Sequence, residues 1–236
     1  MIRQFIKKLL YPDSYSVKAY VDYLRTCGVV IGDNVTIYSP NHVTIDIRKP
    51  YLIKIGNNCK ITQNVTILAH DYGVSVPRQV YGKFVGGSLP VTIGNNVFIG
   101  MNAVILKGTT IGDNCIIGAN SVVKGDFPGG SVIAGNPAKV ISSLEDYYNK
   151  NVHNWIRDAK ICANAIYQNS GRKPTIDEMS DGYAWLYLER TEENIIKYNH
   201  FFKLSSDEYD DIIRSFMKME PVYPSFEAFL EDCNLE

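Results

Sequence analysis

Aliphatic residues recur every six positions through the middle of the chain. They begin successive hexads at Ile93, Ile99, Ile105, Ile111, Ile117 and Val123. The next position holds glycine at 94, 100, 112 and 118, and the fifth holds a small or modest residue at Val97, Ala103, Thr109, Cys115 and Ser121. Hexads of the same pattern begin upstream at Ile31, Ile55, Ile61 and Ile67.

A period of six predicts short strands that form the sides of a three-sided prism. Three sides make a coil of 18 residues, so Ile93 should stack on Ile111, Ile99 on Ile117, and Ile105 on Val123. Each coil then buries its aliphatic side chains against its neighbours, with Gly or Asn at the turns. Cys59 and Cys115 fall at the small fifth position, which indicates packing and not redox chemistry.

The spacing also predicts one large insertion. Ile37 and Ile55 are 18 residues apart, one full coil, whereas Ile55 and Ile93 are 38 apart, one coil plus 20 residues. The surplus predicts a loop over 71–90, and a long loop on a regular scaffold is a common place for function. Residues 43–52 fit the frame poorly and predict an irregular coil.

Helices are expected on both flanks of a β-helix domain at 29–142. Residues 1–28 are expected to form an N-terminal helical segment, since 1–10 have helical spacing and 13–27 predict a helix capped by Asp13 or Ser14. A helical extension fills 143–236, where Ser205 with Glu208 resembles a capping box and Ser225 begins a short helix.

Composition narrows the function classes. A net charge of −1 over 236 residues gives no electrostatic reason to expect nucleic acid. No apolar run approaches the ~20 residues of a membrane span, and membrane contact by the N-terminal segment is not expected. The five cysteines lack the spacing of a zinc site, and their odd number argues against a disulfide framework, so the cytoplasm is the expected compartment.

The segments 89–141 and 64–72 resemble the hexapeptide-repeat acyltransferases. The similarity is to the branch of maltose, galactoside and serine O-acetyltransferases, which includes capsule- and lipopolysaccharide-modifying relatives, and it covers about 30–141. It implies a mainly β fold, a left-handed parallel β-helix, assembled as a homotrimer. It also implies that acetyl-CoA, the co-substrate, lies between neighbouring subunits, and that no metal is required.

The resemblance assigns candidate site residues. His70, in the segment NVTILAHDY, matches the catalytic histidine, which would act as general base on a hydroxyl of a sugar or polysaccharide precursor. Contacts to this acceptor are expected from Asn41, His42 and Asp46. The positions that match the acetyl-CoA site are Phe98, Met101, Ala119, Lys124, Gly125, Lys139 and Ser142.

Each cofactor position has an expected role. Backbone groups of Met101 and Ala119 would bind the pantetheine arm, and Lys139 in the GNPAK motif would bind a phosphate. Phe98 stands where many relatives have Trp, and Ser142 where a basic residue is common. For the loop, Asp71 could orient the site or cap a turn, and the cap is expected. Arg78 and Lys83 are expected to be solvated, although an anionic acceptor would favour substrate binding by them.

The sequence also allows alternative functions. N-acetylation of an amino sugar is the alternative enzyme reaction, although residues 1–30 are too short for the nucleotide-binding domain of such relatives. A γ-carbonic-anhydrase site needs three zinc-binding histidines, and no such set is visible among His42, His70, His153 and His200. An inert scaffold would not need His70 together with the GNPAK motif.

Overall fold

The computed structural model describes residues 10–179, 182–203 and 207–235. The chain divides into two compact units, Met1–Tyr147 and Tyr148–Glu236. The first is called the prism unit below and the second the helical unit.

The prism unit is a coil of short parallel strands on three faces. Face 1 contains β1 (Val30–Ile31), β4 (Ile53–Ile55), β7 (Val91–Ile93), β10 (Thr109–Ile111) and β13 (Asp126–Phe127). Face 2 contains β2 (Thr36–Ile37), β5 (Lys60–Ile61), β8 (Phe98–Ile99), β11 (Ile116–Ile117), β14 (Ser131–Gly135) and β15 (Ala138–Ser143), of which β15 alone runs antiparallel to its neighbour. Face 3 contains β3 (Thr44–Ile45), β6 (Thr66–Ile67), β9 (Val104–Ile105) and β12 (Val122–Val123).

The strand register confirms the predicted aliphatic columns. Ile93 pairs with Ile111, Ile99 with Ile117, and Ile105 with Val123. Ile55 pairs with Ile93, so the 20 surplus residues leave the prism as a loop. The residues at the fifth positions are buried, including both Cys59 and Cys115, and burial raises the pKa of each thiol.

The prediction for the first coil was wrong. Ile55 stacks on Ile31, and Ile61 on Ile37, so this coil is longer than 18 residues. The extra length lies in two 3₁₀ turns, Pro40–His42 and Pro50–Leu52, each begun by a proline. Between them residues Thr44 and Ile45 form a regular strand on face 3, where an irregular coil was expected.

Glycine and asparagine occupy different positions in the hexads, each for its own physical reason. A Cβ atom on Gly94 would lie 2.7 Å from the carbonyl carbon of Gly112, so the close approach of coils requires glycine there. The left-handed turn position is taken by asparagine, as at Asn96 and Asn114, with φ of 53° and 58°. Their side chains join the coils, since the Asn96 amide donates to Asn114 at 2.8 Å.

Helix α1 (Val17–Cys27) precedes the first coil. Its N-cap is Ser16, whose hydroxyl accepts from the amide of Ala19, so the helix begins later than a cap at Asp13 or Ser14 predicts. Tyr20, Val21 and Leu24 pack into the prism core. The expected helical spacing at 1–10 lies, apart from residue 10, outside the described residues.

The helical unit has its own core of aromatic and small side chains. Its helices are α3 (Leu144–Ser170), which begins in the prism unit, α4 (Glu192–Lys197), α5 (Tyr209–Lys218) and α6 (Phe226–Asp232). Ser225 caps α6 as predicted. Helix α5 begins after Glu208, and the expected cap Ser205 lies outside the described residues.

Candidate active site

The long loop leaves and rejoins the prism at one edge, between faces 3 and 1. This loop edge consists of 46–52, 68–90, 106–108 and 124–125. An isolated antiparallel bridge joins His70 to Ser88, and the amide of Leu89 donates to the carbonyl of Ala69 at 3.0 Å. Within the loop, α2 (Ser75–Tyr81) ends at Gly82, which has a φ of 73°. His70 therefore stands at the base of the loop.

A buried carboxylate holds the His70 ring. Asp46 Oδ2 is hydrogen-bonded to His70 Nδ1, and the side chains of aspartate and histidine are 2% and 28% exposed. Backbone amides bind the same carboxylate, because Arg48 donates to Oδ1 at 3.0 Å and Ala69 to Oδ2 at 3.1 Å. Within the described part of the chain Nε2 of His70 has no hydrogen-bond partner.

Asp46 is stabilised in its ionised form. Burial alone would raise the pKa of this carboxyl group, but the hydrogen bonds from His70, Arg48 and Ala69 together outweigh burial and hold the pKa below its ordinary value. Anionic Asp46 accepts a hydrogen bond from Nδ1–H of His70. Nε2 then carries the lone pair of the ring and faces outward. The pair has the geometry of a general base with its orienting carboxylate.

Lys107 binds to both ends of the loop. Its ammonium group forms an ion pair with Asp71, directly after His70, and donates to the carbonyl of Gly87 at 3.0 Å. Asp71 also caps a turn as expected, accepting from the amide of Gly73 at 3.1 Å. The Lys107 hydrogen bond, together with the ion pair, lowers the pKa of Asp71. Lys107 was not among the sequence candidates.

A cavity of about 670 Å³ opens beside His70. Its walls include Arg48 and Lys49 from the prism and Tyr72 and Phe84 from the loop. A volume of this size is within the range of pockets for small-molecule ligands.

Other sequence candidates lie on a second edge, between faces 2 and 3. This second edge consists of 38–43, 62–65, 100–103 and 118–121. Met101 and Ala119 are exposed there, and in the described residues their backbone amides donate to no other group. Asn41 and His42 are exposed on the same edge, at the other end of strand β3 from Asp46.

The remaining cofactor candidates are spread over two places. Lys124 and Gly125 lie on the loop edge, where Lys124 is exposed. On face 2, Phe98 is 40% exposed and lines a groove of about 390 Å³ together with Tyr147. Lys139 is exposed on the terminal hairpin of β14 and β15, and Ser142 lies further along the same strand.

The three expected acceptor residues lie in different places within the chain. The carboxylate of Asp46 is buried and hydrogen-bonded to His70. Asn41 and His42 do not line the cavity beside His70 within this chain, because the whole width of face 3 separates them from it. Arg48 and Lys49 line the cavity instead and were missed.

Two other kinds of feature are absent from the described residues. In the described residues, no three or more His, Cys, Asp or Glu side chains are grouped so that they could hold a metal ion. Over the same residues no helix combines the length and apolar character needed to cross a membrane.

Comparison with known proteins places these features in a family. Residues 90–125 match the family model described as bacterial transferase hexapeptide (six repeats). The chain is 47% identical to Protein CapG of Staphylococcus aureus over 133 residues, which are 56% of this chain and 76% of CapG. The chain belongs to the hexapeptide-repeat acetyltransferases. The predicted family, its left-handed β-helix fold and the class of enzyme are thereby confirmed.

Other members of the hexapeptide-repeat acetyltransferases show more limited similarity. Galactoside O-acetyltransferase of Escherichia coli is 40% identical over 111 residues, which are 47% of this chain and 52% of that protein. A solved galactoside acetyltransferase in complex with coenzyme A is 30% identical, with a TM-score of 0.44 over 62% of this chain and 81% of that one. The chain thus spans about half of the Escherichia coli relative.

Proposed function

We propose that this chain transfers acetyl from acetyl-CoA to a hydroxyl of a sugar or surface-polysaccharide precursor, with His70 as general base. The observation that carries the proposal is the His70 ring, bound through Nδ1 to a buried carboxylate beside a cavity of about 670 Å³. The name of the Escherichia coli relative, galactoside O-acetyltransferase, supports a sugar hydroxyl as acceptor.

The proton moves through Nε2 of His70. The acceptor hydroxyl donates to Nε2, and its oxygen attacks the thioester carbonyl as the proton passes to the ring. The resulting imidazolium is stabilised by anionic Asp46, which keeps its own charge. When the carbon–sulfur bond breaks, Nε2 returns the proton to the leaving thiolate. The products are the acetyl ester and CoA, with no acyl-enzyme.

The donor site is completed by a neighbouring subunit. His70 and Lys124 lie on the loop edge, whereas Met101 and Ala119 lie on the second edge, and face 3 separates the two within one chain. One acetyl-CoA can contact both sets only if the loop edge of one protomer faces the second edge of another. A closed ring of three such heterologous contacts gives a homotrimer with three sites.

Several groups of this chain are suited to bind particular parts of acetyl-CoA, the acetyl donor. The free amides of Met101 and Ala119 can bind the pantetheine carbonyls. Exposed Lys139 supplies a cation for a phosphate, Phe98 an aromatic surface, and Ser142 a hydroxyl in place of a charge. Lys124 and Gly125 approach from the loop edge. All five cysteines are free thiols, which supports a reducing compartment such as the cytoplasm.

The test is incubation of the purified chain with acetyl-CoA and a panel of sugars and amino sugars. Release of the CoA thiol should depend on the acceptor, and mass spectrometry should find an acetyl ester that hydroxylamine removes. An acetyl amide as the product would favour the N-acetyltransferase alternative. No transfer to any member of the panel, from a chain that retains its fold, would contradict the proposal.

A further inference from the structure

The cavity beside His70 is lined by positive charge without a matching carboxylate. Arg48 and Lys49 both line it, and over residues 10–179, 182–203 and 207–235 neither forms an ion pair. Guanidinium and ammonium groups in such a position bind carboxylate or phosphate oxygens by charge-assisted hydrogen bonds.

Two carboxylates close to the cavity are already occupied. Asp46 is buried against His70 and two backbone amides. Asp71 lines the cavity but is paired with Lys107. Neither is available to neutralise Arg48 or Lys49, so their charge remains for a ligand.

The sequence around the cavity adds to this charge. Between residues 71 and 90 the loop has two further cations, Arg78 and Lys83. The single acidic residue of this segment, Asp71, is already paired with Lys107. A cleft lined by one sign of charge attracts ligands of the opposite sign and concentrates them locally.

The backbone places this charge close to the general base. The backbone amide of Arg48 donates to the carboxylate of Asp46 that also binds the His70 ring. This buried carboxylate therefore holds both the ring of His70 and the backbone of Arg48. Tyr72 and Phe84 line the cavity from the loop and offer aromatic surfaces to the apolar face of a sugar ring. A sugar in the cavity would thus have its reactive hydroxyl at His70 and a substituent near Arg48.

We infer that the acceptor carries an anionic group, a carboxylate or a phosphate, close to the hydroxyl that is acetylated, and that Arg48 and Lys49 bind this group. The inference rests on the proposed acetyl transfer and narrows its substrate class from sugars in general to acidic or phosphorylated sugars.

Pairs of acceptors that differ in charge test the substrate class. The carboxylate pair is the methyl glycoside of glucuronic acid against that of glucose, and the phosphate pair is glucose 1-phosphate against glucose. Of these, at least one anionic member should exceed its neutral partner in kcat/KM by about tenfold or more, the usual worth of a hydrogen bond to a charged group. The pair that shows the difference identifies the anion.

Variants then test the two side chains. Arg48→Gln and Lys49→Gln should each lower kcat/KM for the anionic acceptor by about 10- to 100-fold, with little change for the neutral one and in the KM for acetyl-CoA. Lys54→Gln removes the same charge from the exposed side of strand β4, outside the cavity, and should leave every parameter unchanged.

The outcomes separate this inference from the proposed function. Equal or better transfer to the neutral partners in both pairs would overturn the inference and leave acetyl transfer intact. A raised KM for acetyl-CoA in the Arg48 and Lys49 variants, with acceptor preference unchanged, would assign these cations to the donor and also overturn it. Absence of transfer to all acceptors would contradict the proposed function itself.

Discussion

In the described residues each unit contains one histidine–aspartate pair, and the two pairs differ chiefly in burial. In the prism unit, His70 and Asp46 have side chains that are 28% and 2% exposed. In the helical unit, His200 Nε2 lies 3.1 Å from Asp177 Oδ1, with 60% and 67% of the side chains exposed. A buried carboxylate with two backbone donors has one geometry, whereas an exposed pair is screened and mobile.

The difference explains why only one pair is suited to proton transfer. Asp46 also binds the amides of Arg48 and Ala69, which belong to two successive coils, so the prism itself fixes the carboxylate. Asp177 lies in a short 3₁₀ turn, and its contact to His200 is open to water. A catalytic base needs an oriented ring beside a cavity, and His70 in the prism unit has both.

After removal of His70 itself, the largest expected effect comes from removing the buried charge of Asp46. Asp46→Asn should lower kcat by about 100- to 1,000-fold, because an amide neither fixes the Nδ1–H tautomer nor stabilises the imidazolium. Asp177→Asn is the matched change in the helical unit and should leave kcat unchanged. Steady-state CoA release measures both, and equal rates for the two variants would remove the basis of the comparison.

The second prediction contrasts a crowded glycine with an open one. Gly94→Ala should reduce the free energy of unfolding by about 3 kcal/mol, since the new Cβ collides with the next coil. A Cβ atom on Gly171 in the helical unit would meet no other part of the chain within 4 Å, and φ is 66° there, so Gly171→Ala should cost only about 1 kcal/mol.

Chemical denaturation can test this contrast. Far-ultraviolet circular dichroism follows the whole chain, while fluorescence of Trp155 and Trp185 reports on the helical unit, where both tryptophans lie. The Gly94 variant should shift the dichroism transition further than the Gly171 variant does. Similar shifts for both would mean that the coils can separate enough to accept a methyl group.

The third prediction compares two lysine–aspartate pairs. The Lys107–Asp71 side chains are 23% and 46% exposed, and those of Lys160–Asp232 in the helical unit are 32% and 48% exposed. Lys107→Gln should lower kcat/KM by about tenfold, because it frees both ends of the loop beside His70. Lys160→Gln should leave kcat/KM unchanged, and an equal loss in both would refute the role of Lys107 in holding the loop.

The smallest expected effect is on acid stability. The lowered pKa of Asp46 means that its ionised form stabilises the folded chain above about pH 4, the ordinary value in an unfolded chain. That contribution is lost as the pH falls towards the folded-state pKa. The natural chain should therefore exceed Asp46→Asn in free energy of unfolding by less below about pH 4 than above it. Denaturation curves at several pH values measure this difference, and a difference that does not change with pH would contradict the prediction.

The prism was predictable because its order is periodic. A residue's place within six positions determines its face and burial, which is why the columns headed by Ile93, Ile99 and Ile105 were confirmed. The same register could have identified Lys107, because Ile105 pairs with Ile67 and so sets Lys107 beside Ala69, next to His70.

Two parts of the molecule could not be predicted from that period. Asp46 lies in the first coil, where the turns begun by Pro40 and Pro50 break the hexad count, and so its contact with His70 was missed. In the helical unit, Tyr187 packs on Phe226 and Phe229, contacts between distant segments that no local pattern specifies. Long-range packing of this kind depends on tertiary structure.

The central claim is that Nε2 of His70 removes the acceptor proton, and His70→Ala tests it most directly. With the fold verified by circular dichroism, kcat should fall by about 10²- to 10⁴-fold while the KM for acetyl-CoA changes little. His200→Ala, in the exposed pair, should keep the full rate. Full activity in His70→Ala would contradict the account.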